Sequence, residues 1–274
     1  MSSQTSAAAR SILPSPVLNS WVLATVSGLL IGLAFPCNPE QILAFLFHPL
    51  WAHVALVPLL VALPGGSFGF GFKRGILTGF AFTMVGLYWV GHTQGGGMAV
   101  VAGTLLIGGY LGLFVGLFAG SVNLAVGRWG THGLLLVPLV WTIQEYLLSL
   151  GELGFPWLLL GHSQAVFPPF IQYASVTGVY GVSFWVATVN AILFFIMGSR
   201  SHRRVAAIGI LAAVIAGPWL YGHRVMPASS VAQPTVRVAV VQPNLMRAGK
   251  WGPGGLERSF ETLEQLSRKA AERD

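Results

Sequence analysis

Seven apolar stretches follow one another along most of the chain, at residues 17–35, 49–63, 75–93, 98–126, 132–150, 173–197 and 205–221. Most are long enough to cross a hydrocarbon core of about 30 Å as a helix. The stretch at 49–63 is short, and its start could lie earlier, near Gln41. After residue 222 the pattern changes. Residues 223–234 are rich in Pro, Ala and Ser and read as a linker. Val236, Val238 and Val240 then alternate with Arg237, Ala239 and Val241, which predicts a β-strand closed by Gln242-Pro243-Asn244. Gly252-Pro253-Gly254-Gly255 interrupts the chain. Beyond it Leu256, Phe260, Leu263, Leu266 and Ala270 recur at helical spacing, with Glu257, Arg258, Glu261, Glu264 and Lys269 largely opposite. The predicted fold class is an α-helical polytopic membrane protein of about seven transmembrane helices, followed by the first β-α unit of an α/β domain. Four regions result: an N-terminal segment at 1–16, a seven-span body at 17–222, a linker at 223–234, and at 235–274 the opening of a soluble domain too small to build its own core.

Composition strengthens the membrane reading. Of 274 residues, 54% are hydrophobic and only 8% charged, where soluble domains carry roughly 25% charged residues. Thirty-five Gly and nine Trp fit close helix approach and interfacial anchoring. The net charge of +7 matters less than its placement. Arg10, Lys73, Arg74, Arg128, Arg200, Arg203 and Arg204 all fall in alternate connections, and the connections between hold no Lys or Arg. By the positive-inside rule that side is cytoplasmic. Seven spans then leave the N-terminus in the cytoplasm and the tail in the periplasm, in the inner membrane of a Gram-negative cell.

Candidate chemistry within the spans is sparse. Glu145 is the one acidic residue inside a predicted span, and Trp141 shares its helix face. An acid there is expensive unless it is paired or solvated, so Glu145 reads either as a polar anchor beside a substrate-facing cavity or as a hydrogen bond that fixes packing. The connection Gly154-Phe155-Pro156-Trp157 to Gln164 reads as a re-entrant segment or as part of an aromatic interface belt, and Tyr88-Trp89 invites the same pair of readings. Of seven scattered His only His48 and His53, five apart across Pro49, come near metal-site spacing; no phosphate-binding glycine loop occurs, and no basic strip interleaved with aromatics suggests nucleic acid. No cofactor or metal is expected. Cys37, the single cysteine, sits at the end of the first stretch, and Phe35-Pro36 before it do not suit lipid-attachment processing.

These residues carry a resemblance. A strand ending in Val240-Val241-Gln242-Pro243-Asn244, followed by Lys250-Trp251 and an amphipathic helix, resembles the start of a nitrilase (carbon–nitrogen hydrolase) domain. With seven spans before it, the chain resembles the apolipoprotein N-acyltransferase family. Further matches are Gly86-Leu87-Tyr88-Trp89, Pro138 with Trp141 and Glu145, Gly154-Phe155-Pro156-Trp157 with Gly161, Ser163 and Gln164, and Gln172 through Gly178, Gly181, Ser183 and Phe184 to Asn190. The resemblance implies an enzyme of lipoprotein maturation. It would move an acyl chain from a phospholipid donor, through a Cys thioester, to the N-terminal diacylglyceryl-Cys of a lipoprotein, with Glu as base and Lys on the oxyanion. It also implies substrate-site support from Trp251, Gln242, Asn244, Glu145, Trp141 and Trp157.

The same resemblance places the catalytic Glu, Lys and Cys, and a closing eighth span, beyond Asp274. The expectation is therefore a chain without catalytic residues that is inactive alone. Leu148 stands where the family often has Arg, which removes an expected partner of Glu145. A second reading is a non-enzymatic lipid- or lipoprotein-binding membrane protein derived from the enzyme. A transporter finds little support, because there is one intramembrane acid and no internal repeat.

Overall fold

Where each helix begins follows from the residue that can satisfy its first free N–H groups. A computed structural model describes residues 19–35, 46–93, 97–226, 238–245, 250 and 252–272. The 1–16 segment, Cys37, most of the linker, Thr235 to Arg237 of the predicted strand, and Trp251 lie outside the described residues. Two compact units result, one up to Met226 and one from Pro227 onward.

In the first unit, α1 (Ser20–Leu33) starts at Asn19, whose side chain accepts from Trp21 N. α3 (Phe68–Gly86) starts at Ser67, whose hydroxyl accepts from Phe70 N at 3.4 Å. The latter corrects the expected start at 75. Ser67 caps the helix a full two turns earlier, so Lys73 and Arg74 lie inside it rather than in a connection. Arg74 stays partly solvated by lying over the rings of Phe70 and Trp21, 3.6 and 4.1 Å from their centroids, and by donating to Ser20 Oγ.

The stretch at 49–63 is not one helix. Pro49–His53 is a 3-10 turn, residues 54–56 are turn, and α2 (Val57–Ala62) has six residues. The break is tolerated because its free backbone groups are satisfied inside the protein. Leu56 N donates to Asn190 Oδ1 at 2.9 Å, Asn190 Nδ2 donates to Ala52 O at 2.8 Å, and Ser27 Oγ donates to Ala55 O at 2.5 Å.

Three stretches among the described residues are long and apolar enough to cross a membrane: Gly97–Leu148, Ala174–Gly198 and Ser201–Val225. The first comprises α4 (Gly97–Trp129), a 3-10 turn (Gly130–Leu135) and α5 (Leu136–Leu148). After the short α6 (Pro168–Ile171) come α7 (Ala174–Gly198) and α8 (Ser201–Val225). Gly178, at φ 65° and ψ −170°, kinks the first turns of α7.

Packing within this unit relies on glycine. Gly71, Gly75 and Gly79 face α4 so closely that a Cβ at Gly79 would stand 2.7 Å from Gly112 Cα. Backbones in contact replace the hydrophobic drive that lipid does not supply. Gly28 and Gly32 let α1 approach α3 in the same way. On the far side of α4, Phe118 meets Trp141 of α5 edge-on at 4.9 Å, and α5 in turn packs on α7.

In the second unit, α9 (Gly255–Ala271) forms where the apolar stripe predicts it. The predicted strand does not appear. Residues 238–245 carry no ladder, and there is no strand among the described residues. A strand is defined by its partner, and the only other regular element described in this unit is a helix. Leu256 and Phe260 on the α9 stripe stay 65% and 66% exposed.

Candidate functional site

The segment after α5 sets the site. Chain direction reverses at Gly151, which takes φ 73°, and Phe155 N donates to Leu148 O at 2.9 Å. Two 3-10 turns follow, Pro156–Leu158 and Leu160–Gln164. Leu158, Leu159, Leu160, Gly161, Ser163 and Gln164 are all buried. Of the two readings of this segment, the structure selects entry into the helix bundle for its second half. Two of its backbone N–H groups are met by side chains from α5 and α7, and its own Gln164 side chain reaches the backbone at Pro49. Glu145 Oε1 accepts from Leu160 N at 2.6 Å, Ser183 Oγ accepts from Gly161 N at 2.8 Å, and Gln164 Nε2 donates to Pro49 O at 3.1 Å.

Glu145 is thus the clamp of this segment. It is 2% exposed, and the same Oε1 accepts from Trp141 Nε1 at 2.8 Å, one helical turn earlier. The loss of an Arg at Leu148 does not leave Glu145 without partners. Neutral donors replace the cation, and Leu148 itself is buried in the core. These contacts describe a packing role for Oε1.

Trp157 has the opposite character. It is 57% exposed and stacks on Trp89, itself 44% exposed, at 5.9 Å with 12° between the planes. Phe155 lies 5.2 Å from Trp157 on the same segment. Leu158, next in sequence, turns inward against Gly86. The clamp therefore buries Leu158 to Leu160 while presenting an aromatic shelf outward. Such a shelf, apolar in its ring faces and polar at its indole N–H, suits the lipid–water boundary.

Gln242 and Asn244 lie in the second unit. With Pro243, Leu245, Lys250, Ser259 and Leu263 they line a cavity of about 360 Å³. Asn244 adopts φ 50°, a left-handed conformation that Asn tolerates better than most residues. Among the described residues no three His, Cys, Asp or Glu come together as a metal site would need. Glu145, Trp141 and Trp157 are brought together by one segment, whereas Gln242 and Asn244 form a separate group. Ser183 and Asn190 hold the non-helical backbone, a role that sequence reasoning did not give them. The available signal was their position as polar residues within an otherwise apolar helix.

Comparison with known proteins agrees with this architecture. Residues 27–192 match the family described as the apolipoprotein N-acyltransferase N-terminal domain. The chain is 34% identical to an apolipoprotein N-acyltransferase of Chlorobaculum tepidum, over 89% of this chain and 45% of that protein. It is 32% identical to one of Geobacter metallireducens, over 91% and 48%, and 27% identical to one of Haemophilus influenzae, over 90% and 47%. The chain spans about half the length of these curated relatives.

Proposed function

From a chain that belongs to the apolipoprotein N-acyltransferase N-terminal domain family, we infer the membrane body of an enzyme that N-acylates lipoproteins. The acyl donor is a phospholipid and the acceptor a diacylated lipoprotein. The body has seven spans: α1, the broken 49–62 element and α3, and then α4, α5, α7 and α8 from the three long stretches. It sits in the bacterial inner membrane with its N-terminus cytoplasmic. The tail is periplasmic and opens a nitrilase-like domain with a β-α unit, in which Gln242, Asn244 and Trp251 lie near the acyl site.

The observation that carries this reading is the clamped segment. Glu145 and Trp141 fix it, and Trp157 and Trp89 are held outward, exposed at the surface of the membrane body. The chemistry is thioester formation at a Cys followed by attack of the lipoprotein α-amine. The only Cys here is Cys37, at the end of the first stretch, so residues 38–274 hold no thiol. By that count these residues position lipid and do not attack it.

The test is mass spectrometry of lipoprotein N-termini in the host. Replacing Trp157 and Trp89 together by Ala in the intact gene product is expected to cause diacylated lipoproteins to accumulate, with the protein still present in the membrane. Full N-acylation in that variant rejects the role of the shelf. The purified 274-residue chain is expected to transfer no acyl group. A second reading is a non-catalytic lipid- or lipoprotein-binding protein, which the same exposed aromatic pair would serve. Unchanged N-acylation after deletion of the gene selects it.

A further inference from the structure

α8 is held to its neighbours at few points. Trp185 Nε1 of α7 donates to Val214 O at 2.8 Å, and Gly222 presses its backbone against Pro169 of α6. Between α5, α7 and α8 lies a cavity of about 760 Å³. Pro138 of α5, Phe184, Ala191 and Phe195 of α7, and Ile210 and Val214 of α8 give it apolar walls. The lining also holds polar groups: Thr131 and His132 from the turn before α5, Arg203 from the first turn of α8, and Thr188 of α7, whose hydroxyl donates to Phe184 O.

At Arg203 the lining is cationic without a protein counter-charge. Arg200, Arg203 and Arg204 are exposed at the start of α8, where the helix dipole adds further positive potential. The described residues of this unit contain two carboxyl groups, Glu145 and Glu152, and neither pairs with an arginine. Glu145 is occupied at the clamp, and Arg204 donates to a backbone carbonyl, Ser199 O, at 3.0 Å. An apolar slot with an uncompensated basic mouth matches an amphiphile with an anionic head. From Arg203 to Val214 the helix advances about 16 Å, enough to lie along most of a long acyl chain.

We propose that this cavity binds one anionic phospholipid, with an acyl chain between α5, α7 and α8 and its phosphate at Arg203, supported by His132 and Thr131. A zwitterionic headgroup gains less there, because its ammonium offsets the charge that Arg203 reads.

Native mass spectrometry tests this on the protein purified from its host, stripped of lipid and titrated with phosphatidylglycerol or phosphatidylcholine. One phosphatidylglycerol is expected to be retained about fivefold more tightly than phosphatidylcholine. Arg203→Gln, a surface change that leaves the core intact, is expected to abolish the preference. Ala207→Trp, which fills the slot, is expected to reduce retention of both lipids, with thermal unfolding as a check on its fold. Equal retention of the two lipids by the unaltered protein overturns the proposal, as does a preference that survives Arg203→Gln. A photo-reactive residue in place of Ile210 is expected to capture lipid, and capture of a polypeptide segment instead also overturns it. The readout is lipid retention and not acyl transfer, so this inference and the proposed function fail independently.

Discussion

The α3–α4 pair and the α7–α8 pair are built from the same kind of sequence and pack in opposite ways. Both join long helices rich in apolar residues and glycine. On α3, Gly71, Gly75 and Gly79 all meet the backbone of α4. On α8, Gly209 and Gly217 face open space, and only Gly222 is used for close approach. The first pair is a seam of touching backbones. The second is tied by one indole hydrogen bond, the glycine contact of α8 going instead to Pro169 of α6, and a cavity of about 760 Å³ lies beside the pair. Apolar composition puts a helix in the membrane, but it is the register of the smallest residues that decides whether two helices close on each other.

That contrast can be broken at either end. Gly75→Leu, with the side chain aimed into Val115 and Gly116, is expected to destabilise the protein most, on the order of 3 kcal/mol or more. Unfolding in mixed detergent micelles measures it, and an unchanged transition shows that the seam yields. Next is Glu145→Ala, which strands Leu160 N and Trp141 Nε1 in the core and is expected to remove about 2–3 kcal/mol. Glu145→Gln, which keeps an accepting oxygen, is expected to recover most of the loss. Faster proteolysis within 151–167 in the Ala variant alone confirms that the clamp acts on that segment. Trp185→Phe keeps the ring contacts with His53 and Phe170 but removes the bond to Val214 O. About 1 kcal/mol is expected, read as faster hydrogen exchange along α8. Gly209→Leu closes the series, with a change within about 0.5 kcal/mol because nothing stands where its side chain would go. A loss as large as that of Gly75→Leu erases the distinction between the two pairs.

The sequence made the long elements legible and left the short ones hidden, for a physical reason. Hydropathy marks α4, α7 and α8 because each must meet lipid along its own length. It marks 49–63 as well, where Leu56, Leu59, Leu60 and Leu63 are buried in protein while Leu50, Trp51 and Val54 are exposed, and the pattern cannot tell the two environments apart. Asn190 supplies what the break needs, from a position far along the chain. The clamp was half legible: Trp141 and Glu145 share a face by their spacing, but the partner at Leu160 is a backbone N–H, and backbone groups carry no sequence signature. The strand at 235–241 was read from alternation alone, and alternation does not provide a second strand. The stripe on α9 was legible because it depends only on residues within one helix.

The staple at Asn190 also sets an order in time. Leu56 and Asn190 lie 134 positions apart. At bacterial rates of synthesis the interval between them is on the order of ten seconds. Through that interval the 54–56 break has left the ribosome while the side chain that satisfies it has not yet been made. The first half of the body therefore enters the bilayer with an open backbone defect, and it reaches its native form only when α7 arrives. A stalled or shortened product that ends before α7 would expose that defect, and membrane proteases would distinguish it from the finished protein on that basis alone.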